Sequence, residues 1–563
     1  MFTSLLTPPI DTRNSRSAEP LSADAVRDLD IAELARRMDH PGTSQGAVTA
    51  LLSELPQDAA VIAYRQEVVR TLWDNPALLA ALSESVGPMR ELTVFAHSGQ
   101  ETDKPLLEAV WRLGELELYV QLIRTLRDEL APFVRTTSPD GGIARLHDEL
   151  QRRSDDPMFR ELVATLPELR SGLKLHQSVT IGINLDNKLR PVEAALLSIN
   201  SRPFREAQFL SSVFGAAGGD PYVTQTPLHS TPTTADVPGY APETLPLAPL
   251  FQELDTVMKA VLRPLARRLR SYVGVNTELL RHLAPEIAFY AAVITQLKEV
   301  EAAGYPLCFP QLLPASDRAA RFSGLYNLRL AAHWAAEGST HEMVFNDVTF
   351  DDDARLYVLT GPNGGGKTTF TQAIGMAIVL GQNGFPVPAG EAEFSPVDRL
   401  YTHFAGEEDI SDEIGRFEDE ARRLSAIFDT VTSSSLILLN EPLASTGPHE
   451  AERIASAVLG GLSQAGVRGV FTTHFHQLAA STDRIGEMSP HAAQIGTLSA
   501  GVRIVDGRAE RTYEIVSGAP SGQSYADDIA RRYGIDRESL SRRLGGEPPR
   551  NAPPRHAPPR DSV

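Results

Sequence analysis

The first half of the chain carries apolar residues at helical spacing. From residue 45 to about residue 133, apolar positions return every three or four residues, which places them on one face of a helix. One such stripe consists of Leu113, Leu116, Val120, Ile123, Leu126 and Leu130. We interpret this stripe as core packing in a helical scaffold. A second helical pattern covers residues 247–303, and its apolar face contains Leu254, Val257, Val261, Leu265 and Leu269.

A segment with strand character interrupts the helices. Within residues 178–185, β-branched residues alternate with other residue types. Asp186 and Asn187 follow, and a second apolar run lies at residues 194–199. This pattern predicts a small β excursion inserted between helices. Residues 215–246 are dense in Pro, Thr and Gly and show no periodicity, which indicates a long loop.

The character of the chain changes near residue 322. From there to about residue 545, strand-like and helix-like segments alternate, which is typical of an α/β domain with a mostly parallel sheet. The sequence therefore predicts a mixed fold, with a helical region at 45–320 that contains an insertion at about 175–246. An α/β domain at 321–545 follows this region.

We expect both ends of the chain to be less ordered. Residues 1–44 are polar and rich in Ser, Asp and Pro, with one helical piece around residues 23–38, so this segment is predicted to be partly disordered. Residues 546–563 repeat Pro-Pro-Arg three times, which predicts an extended, disordered tail.

Composition limits the class of protein. A chain of 563 residues is too long for one core, and about two to four domains are expected. Cys308 is the single cysteine, so the chain cannot form an internal disulfide or a thiolate metal site, and a cytoplasmic location is expected. Residues 1–20 lack a signal-peptide pattern, and no apolar run approaches the ~18 residues of a membrane span.

The charge balance bears on the partners. The net charge is −19, from 53 basic and 72 acidic residues. This counts against tight non-specific binding of the isolated chain to DNA, although charge acts by patch and not only by sum. A local basic cluster accompanies the second helical pattern: Arg263, Arg267, Arg268 and Arg270. Such a cluster is either a solvated helix face or a phosphate-binding surface, and the sequence leaves both open.

Residues 359–369 contain a phosphate-binding loop. They fill every fixed place of the pattern G-x-x-x-x-G-K-[ST], after an apolar strand at 356–359 and before a helix-forming run at 370–380. In this motif the backbone N–H groups surround phosphates, the lysine reaches the β- and γ-phosphates, and the hydroxyl holds Mg²⁺. The predicted nucleotide-binding residues are Gly361, Pro362, Asn363, Gly364, Gly365, Gly366, Lys367, Thr368 and Thr369. We therefore predict binding of ATP with Mg²⁺.

Two further strand ends supply candidate catalytic groups. The apolar strand at 436–439 ends at Asn440 and Glu441, which is the placement of a Walker B element. Glu441 is the predicted residue for orienting or deprotonating the attacking water. Asn440 stands where an Asp is usual and is a predicted, weaker Mg²⁺ ligand, because it keeps an acceptor oxygen without the charge. A second apolar strand ends near His474, which we predict to donate to the γ-phosphate.

These elements resemble, in order and spacing, the ATPase domain of the MutS mismatch-repair family, a branch of the ABC-type ATPases. The resemblance covers about 200 residues. Its motifs are Phe345 to Val348, Thr360 to Asn363, Gly384 to Ala389, Ser395 to Arg399, the Walker B strand with Ala444 to Thr446, Thr472 to Leu478, and Gly518 to Tyr525. The last motif resembles the family's entry into a C-terminal helix–turn–helix used for dimer contact.

The resemblance implies a homodimer in which each ATPase domain completes the other's site. Gly415, which precedes a Phe-x-x-Glu motif, corresponds to the loop that contacts the partner's nucleotide. Met343 and Tyr513 correspond to the residues that sandwich the adenine. The upstream helices resemble the family's core, lever and clamp region only diffusely. No segment corresponds to the mismatch-reading domain or to a C-terminal nuclease-like domain, so a short form is expected.

Two functions are compatible with the sequence. The first is an ATP-hydrolysing dimer that opens and closes around DNA in repair or recombination. The second is an ATP-dependent conformational switch whose client is a protein or an RNA–protein assembly. The acidity of the chain and the acidic run Glu407, Glu408, Asp409, Asp412 and Glu413 favour the second. The family resemblance favours the first.

Overall fold

The structure is a computed structural model of the chain. It describes residues 4–8, 19–38, 43–98, 105–135, 137–174, 178–185, 187, 191–200, 202, 205–206, 223–224, 268–269, 272, 277–338, 341–404, 416–486, 493–505, 508–518 and 533–544. The chain divides into two compact units: Met1–Leu5 with Asp74–Ala288, and Leu6–Trp73 with Phe289–Val563. We call these unit 1 and unit 2. In the described part of the chain, no helix has the length and apolarity to cross a membrane.

Short N-terminal elements open unit 2. They are β1 (Glu19–Pro20), α1 (Ala23–Asp28), α2 (Ile31–Arg37), α3 (Gln45–Ser53), β2 (Glu54–Leu55) and α4 (Ala59–Asp74), with β1 antiparallel to β2. The Ser22 and Ser44 hydroxyls cap α1 and α3 by accepting a backbone N–H. The single helical piece expected at 23–38 is two helices, because Asp30 between them has a left-handed backbone (φ 56°).

Unit 1 is mainly helical. Its elements are α5 (Pro76–Ser98), α6 (Pro105–Leu130), α7 (Gly142–Asp155), α8 (Pro157–Lys174), β3 (Ser178–Leu185), β4 (Pro191–Asn200), β5 (Arg205–Glu206) and β6 (Val223–Thr224). The predicted apolar stripe lies on α6, and all six of its residues are buried. This confirms the interpretation of the stripe as core packing. The helical period arises because residues three and four apart share one helix face.

The predicted β excursion of unit 1 is an antiparallel hairpin. β3 and β4 pair from Ser178↔Asn200 to Leu185↔Pro191. Of the basic cluster, Arg268 lies within the described residues; its guanidinium donates to Glu168 at 2.9 Å, and its side chain is half exposed. Arg263, Arg267 and Arg270 lie outside them, as does most of the predicted loop at 215–246. The assignment of this region to a lever and clamp stays a prediction.

The rest of the described chain alternates strands and helices. The elements are α9 (Glu278–Ala302), β7 (Gln311–Leu312), a 3₁₀ turn (Ala315–Asp317), β8 (Ala320–Leu325), α10 (Leu328–Glu337), β9 (Asn346–Phe350), β10 (Leu356–Thr360), α11 (Lys367–Gln382), β11 (Glu391–Phe394), β12 (Leu400–Phe404), α12 (Arg416–Thr430), β13 (Leu436–Asn440), α13 (Pro448–Ala465), β14 (Arg468–Thr472), α14 (His476–Ala480), α15 (Thr482–Gly486), β15 (Ile495–Val505), β16 (Arg508–Ser517) and α16 (Arg537–Leu544).

Two sheets organise unit 2. A six-stranded sheet has the order β12-β13-β14-β10-β15-β16, parallel except for the antiparallel edge strand β16. A four-stranded sheet has the order β7-β11-β8-β9. Helices cover both faces of the larger sheet. Ile437 and Leu439 of β13 pack in the core formed with α12 and α13, whereas Leu438 faces α11 on the other side. This alternation follows from the two-residue period of a strand.

Arg468 connects the two sheets. Its side chain is 1% exposed, and its guanidinium donates to the backbone carbonyls of Ala319, Ser395, Pro396 and Ser434. Burial lowers the pKa of Arg468 to about 10. A buried cation of this kind is tolerated because several carbonyl dipoles replace its hydration.

The N-terminal elements are attached to the end of α11 by a buried amide. Asn383 Nδ2 donates to the carbonyls of Leu52 at 3.2 Å and Glu54 at 3.1 Å, and its Oδ1 accepts from Arg65 Nη1 at 2.7 Å. Arg65 Nε also donates to the carbonyl of Leu6 at 2.8 Å. These contacts place residues 19–73 of unit 2 directly against the helix that follows the phosphate-binding loop.

Replacing this amide tests the attachment. We expect Asn383→Leu to destabilise unit 2 by about 2–4 kcal/mol, because Arg65 and two carbonyls lose their partner in a dry site. Hydrogen–deuterium exchange of peptides from α3, α4 and α11 measures the effect. The matched control Asn187→Leu changes an exposed turn residue of unit 1. Equal exchange in both variants would contradict the expected role of Asn383.

Candidate functional site

The phosphate-binding loop joins β10 to α11 at the centre of the large sheet. β10 ends at Thr360 and α11 begins at Lys367, so the loop ends at a helix N-terminus, as predicted. Two of its glycines are required by the backbone. Gly361 has φ 135° and a Cβ there would lie 2.7 Å from Ala500 Cβ, while Gly366 has φ 90° and caps α11. The free N–H groups of such a helix end form an anion-binding surface.

Lys367 is buried and held by the loop itself. Its Nζ donates to the carbonyls of Gly361 at 3.0 Å and Pro362 at 3.2 Å, and lies 3.5 Å from Glu441 Oε1. Burial lowers the pKa of Lys367 below the ordinary lysine value, and the Glu441 carboxylate partly offsets this effect. The Lys367 ammonium group can therefore exchange the carbonyl oxygens of the loop for the oxygens of a phosphate.

The two candidate strand-end residues lie beside this lysine. All five residues of β13 are buried, and the strand ends at Asn440, whose Oδ1 accepts a hydrogen bond from Thr368 Oγ1 at 3.2 Å. Glu441 follows in a left-handed backbone conformation (φ 50°), and its N–H donates to the carbonyl of Thr472 at 3.0 Å. A non-glycine residue in this region is strained, and such strain is concentrated at functional sites. In this conformation the Glu441 carboxylate lies beside the Lys367 ammonium.

Thr368 and Asn440 fit a Mg²⁺ ion that arrives with phosphates. They present two neutral oxygen donors within 3.2 Å of each other, and oxygen is the ligand that Mg²⁺ prefers. Among the described residues no group of three or more His, Cys, Asp or Glu side chains could hold a metal ion alone.

One cavity of about 640 Å³ brings most of the predicted residues together. From the phosphate-binding loop, Asn363, Gly364, Gly366, Lys367, Thr368 and Thr369 line it. Asn440 and Glu441 lie in the same wall, and Met343 and Tyr513 lie there as well. The polar loop and the apolar side chains thus form a single space. Its chemistry suits a ligand that has a phosphate end and a flat apolar end.

Gly361, Pro362 and Gly365 of the phosphate-binding loop do not line this cavity. Two predicted residues outside the loop are not brought into it either. His474 follows β14; its side chain is exposed, its ring lies 4.3 Å from the ring of Phe475, and it does not line the cavity. Gly415 lies outside the described residues. The roles given to both residues stay predictions.

The structure adds residues that the sequence analysis did not select. Asn327, Trp334 and Asn346 also line the cavity. Asn327 caps α10 and donates from Nδ2 to the carbonyl of Thr369 at 3.1 Å, which joins α10 to α11. Asn346 falls within a family-like motif at 345–348, which was the signal available in the sequence. Trp334 gave no such signal, because a tryptophan on a helix face is most often core.

Two protein-family models match separate parts of the chain. Residues 357–538 match the family model for MutS domain V, and residues 57–303 match the model for the MutS2 N-terminal domain. The first match contains the phosphate-binding loop, Asn440, Glu441 and Tyr513. The second contains α5 to α8 and the hairpin of β3 and β4.

Curated relatives resemble the chain over part of its length. Endonuclease MutS2 of Thermus thermophilus is 31% identical over 299 residues, which are 52% of this chain and 38% of the relative. DNA mismatch repair protein MutS of Thermosipho melanesiensis is 27% identical over 280 residues, 48% of this chain and 32% of the relative. DNA mismatch repair protein MutS 2 of Halobacterium salinarum is 34% identical over 211 residues, which are 37% of this chain and 24% of the relative. The chain thus spans well under half the length of these relatives.

The neutral amide at the end of β13 predicts a measurable metal dependence. We expect Asn440→Asp to lower the Mg²⁺ concentration for half-maximal ATP binding by about three- to tenfold, because a carboxylate adds charge beside Thr368. Titration of Mg²⁺ at fixed ATP, followed by calorimetry, measures the shift. Asn187→Asp adds the same charge on an exposed turn and serves as the control. An unchanged Mg²⁺ dependence in Asn440→Asp would place the metal elsewhere.

Proposed function

The chain belongs to the MutS-related family, and from this premise we propose that it is a cytoplasmic, Mg²⁺-dependent ATPase that works as a homodimer on DNA. The single observation that carries the proposal is the convergence of Lys367, Thr368, Asn440 and Glu441 on one cavity with Met343 and Tyr513. Residues from four separate parts of the sequence meet there. Each has the chemistry that its position in a nucleotide site requires.

In the proposed bound state, Lys367 moves from its carbonyl partners to the β- and γ-phosphates. The N–H groups at the start of α11 surround the same phosphates. Thr368 and Asn440 would hold Mg²⁺, which would neutralise phosphate charge. The adenine lies between Met343 and the ring of Tyr513, since a flat aromatic face and a polarizable thioether both suit a planar base.

Hydrolysis is assigned to Glu441. Its carboxylate lies 3.5 Å from the Lys367 ammonium. Once Lys367 is engaged by phosphate, the carboxylate is available to orient a water molecule and to accept its proton. His474 is proposed to donate to the γ-phosphate, and Gly415 of a second copy to approach it from the other side. Turnover is expected to be slow, because Asn440 supplies no charge to the metal site.

The dimer converts ATP binding into motion. ATP that contacts residues of both subunits stabilises the closed dimer, and hydrolysis of this ATP removes that stabilisation. The helices and hairpin of unit 1 are proposed to carry this change to DNA, as a clamp. The relatives named as mismatch repair proteins and as endonucleases support a role in DNA repair or recombination. The net charge of −19 supports the alternative, a protein or RNA–protein client.

Two substitutions separate binding from turnover. Glu441→Ala is expected to bind ATP and accumulate as a dimer, because the water-activating carboxylate is lost while the phosphate contacts remain. Lys367→Ala is expected to stay monomeric with ATP, because the cation for the β- and γ-phosphates is absent. Sedimentation velocity with and without Mg²⁺ and ATP measures both. A wild-type chain that stays monomeric under all conditions would refute the dimer.

DNA binding is tested by its salt dependence. We expect binding to duplex or branched DNA whose log affinity falls linearly with log salt, with a slope that reports the phosphates neutralised. Fluorescence anisotropy from about 50 to 200 mM salt, in each nucleotide state, measures this slope. ATPase rates with each form of DNA give a second readout. Absence of binding at about 50 mM salt in every nucleotide state would favour the alternative client.

A further inference from the structure

Tyr513 has an unusual backbone for its residue type. It lies on β16 with φ 60°, in the left-handed region that a bulky side chain rarely adopts. Its side chain is about half exposed, and its ring carbon Cδ1 lies 3.5 Å from where a Cβ of Gly366 would be. The ring is therefore held over the start of α11. A strained conformation of this kind persists only where the surroundings fix it.

The pairing of β16 with β15 does not hold Tyr513 in this conformation. Ala500 of β15 pairs with Ile515 and Val502 pairs with Arg511, so residues 512–514 bulge opposite Gly501 alone. The register therefore shifts at Tyr513. A bulge of this type changes the direction in which a side chain points, and the backbone groups of the bulged residues then require other hydrogen-bond partners.

Asn346 supplies those partners from the other sheet. This residue begins β9, and its amide makes two hydrogen bonds across the bulge. Its Nδ2 donates to the carbonyl of Tyr513 at 3.3 Å, and its Oδ1 accepts from the N–H of Ile515 at 2.6 Å. One donor and one acceptor on a planar amide thus join β9 to β16 on both sides of Glu514.

We infer that Asn346 is a positioning residue that sets the base-dependent part of nucleotide affinity by holding the Tyr513 ring over the phosphate-binding loop. Asn346 lines the same cavity as Tyr513, Met343 and Lys367. The inference rests on the proposed function, since it assumes that a nucleotide occupies this cavity. In this arrangement the phosphate-binding loop binds the phosphates of the nucleotide, and the bulge held by Asn346 supports the side chain that contacts its base.

The experiment compares a nucleotide with a ligand that lacks a base. Calorimetry measures binding of ATP and of inorganic triphosphate, each with Mg²⁺, to the full chain. Tyr513→Ala is expected to weaken ATP binding about tenfold, because a stacking partner for the base is lost. Asn346→Ala is expected to weaken ATP binding about three- to tenfold, while the affinity for inorganic triphosphate changes less than about twofold.

A double-mutant cycle distinguishes positioning from direct contact. If Asn346 acts through Tyr513, the double variant binds ATP as Tyr513→Ala does, and the two effects do not add. Additive effects would overturn the inference, because Asn346 would then act independently of the ring. Asn346→Asp is a milder variant that keeps the acceptor for Ile515 N–H and loses the donor to Tyr513. It is expected to show the same ATP-selective loss, and an effect equal on both ligands would also overturn the inference.

Asp347→Ala is the matched control. Its carboxylate accepts from Ser323 Oγ at 3.1 Å and Gly324 N at 2.7 Å, so it supports β9 without contacting the bulge. We expect unchanged ATP affinity in this variant. A wild-type chain that binds neither ligand would refute the proposed function itself. A wild-type chain that binds ATP, with Asn346→Ala indistinguishable from it, would refute the positioning role alone.

Discussion

The structure of unit 2 depends on the alignment of three parallel strands, β13, β14 and β10. Asn440 pairs with Thr472, and Leu359 pairs with the same Thr472 on the other side. The N–H groups of Glu441 and Thr473 then donate to the carbonyls of Thr472 and Leu359. Carboxyl ends of parallel strands meet at one edge of a sheet, where the following loops form a crevice. A shift by one residue would move each side chain to the opposite face of the sheet and separate Asn440 from Thr368.

Polar side chains that bond to the backbone make this arrangement specific. Arg468 and Asn383 are buried and Asn346 is partly buried, and each joins segments that are far apart in sequence through backbone carbonyls or N–H groups. A buried polar side chain costs free energy unless its hydrogen bonds are made. These residues therefore stabilise one arrangement of the two sheets and α11 more than alternatives with the same apolar packing. The positions of the site residues therefore depend on these three side chains.

Much of the fold and part of the site could be predicted from local patterns. The stripe on α6, the hairpin of β3 and β4, and the strand–loop–helix around Lys367 all rest on short-range rules of spacing and backbone conformation. The break at Asp30 could not be predicted, because a single left-handed residue leaves no periodic signal. Asn346 was also missed as a site residue, since its partners at Tyr513 and Ile515 lie more than 160 positions away.

The sequence by itself determined which residues are candidates for holding phosphates, a metal and a base, and in which order they occur. It could do so because the glycines, Lys367 and Thr368 of the loop act within a few residues of one another. The tertiary structure decided which distant groups join them. Asn440 reaches Thr368, and the bulge places Tyr513 over Gly366, through strand register and hydrogen bonds between sheets. Contacts of this kind depend on three-dimensional packing, which no local pattern encodes.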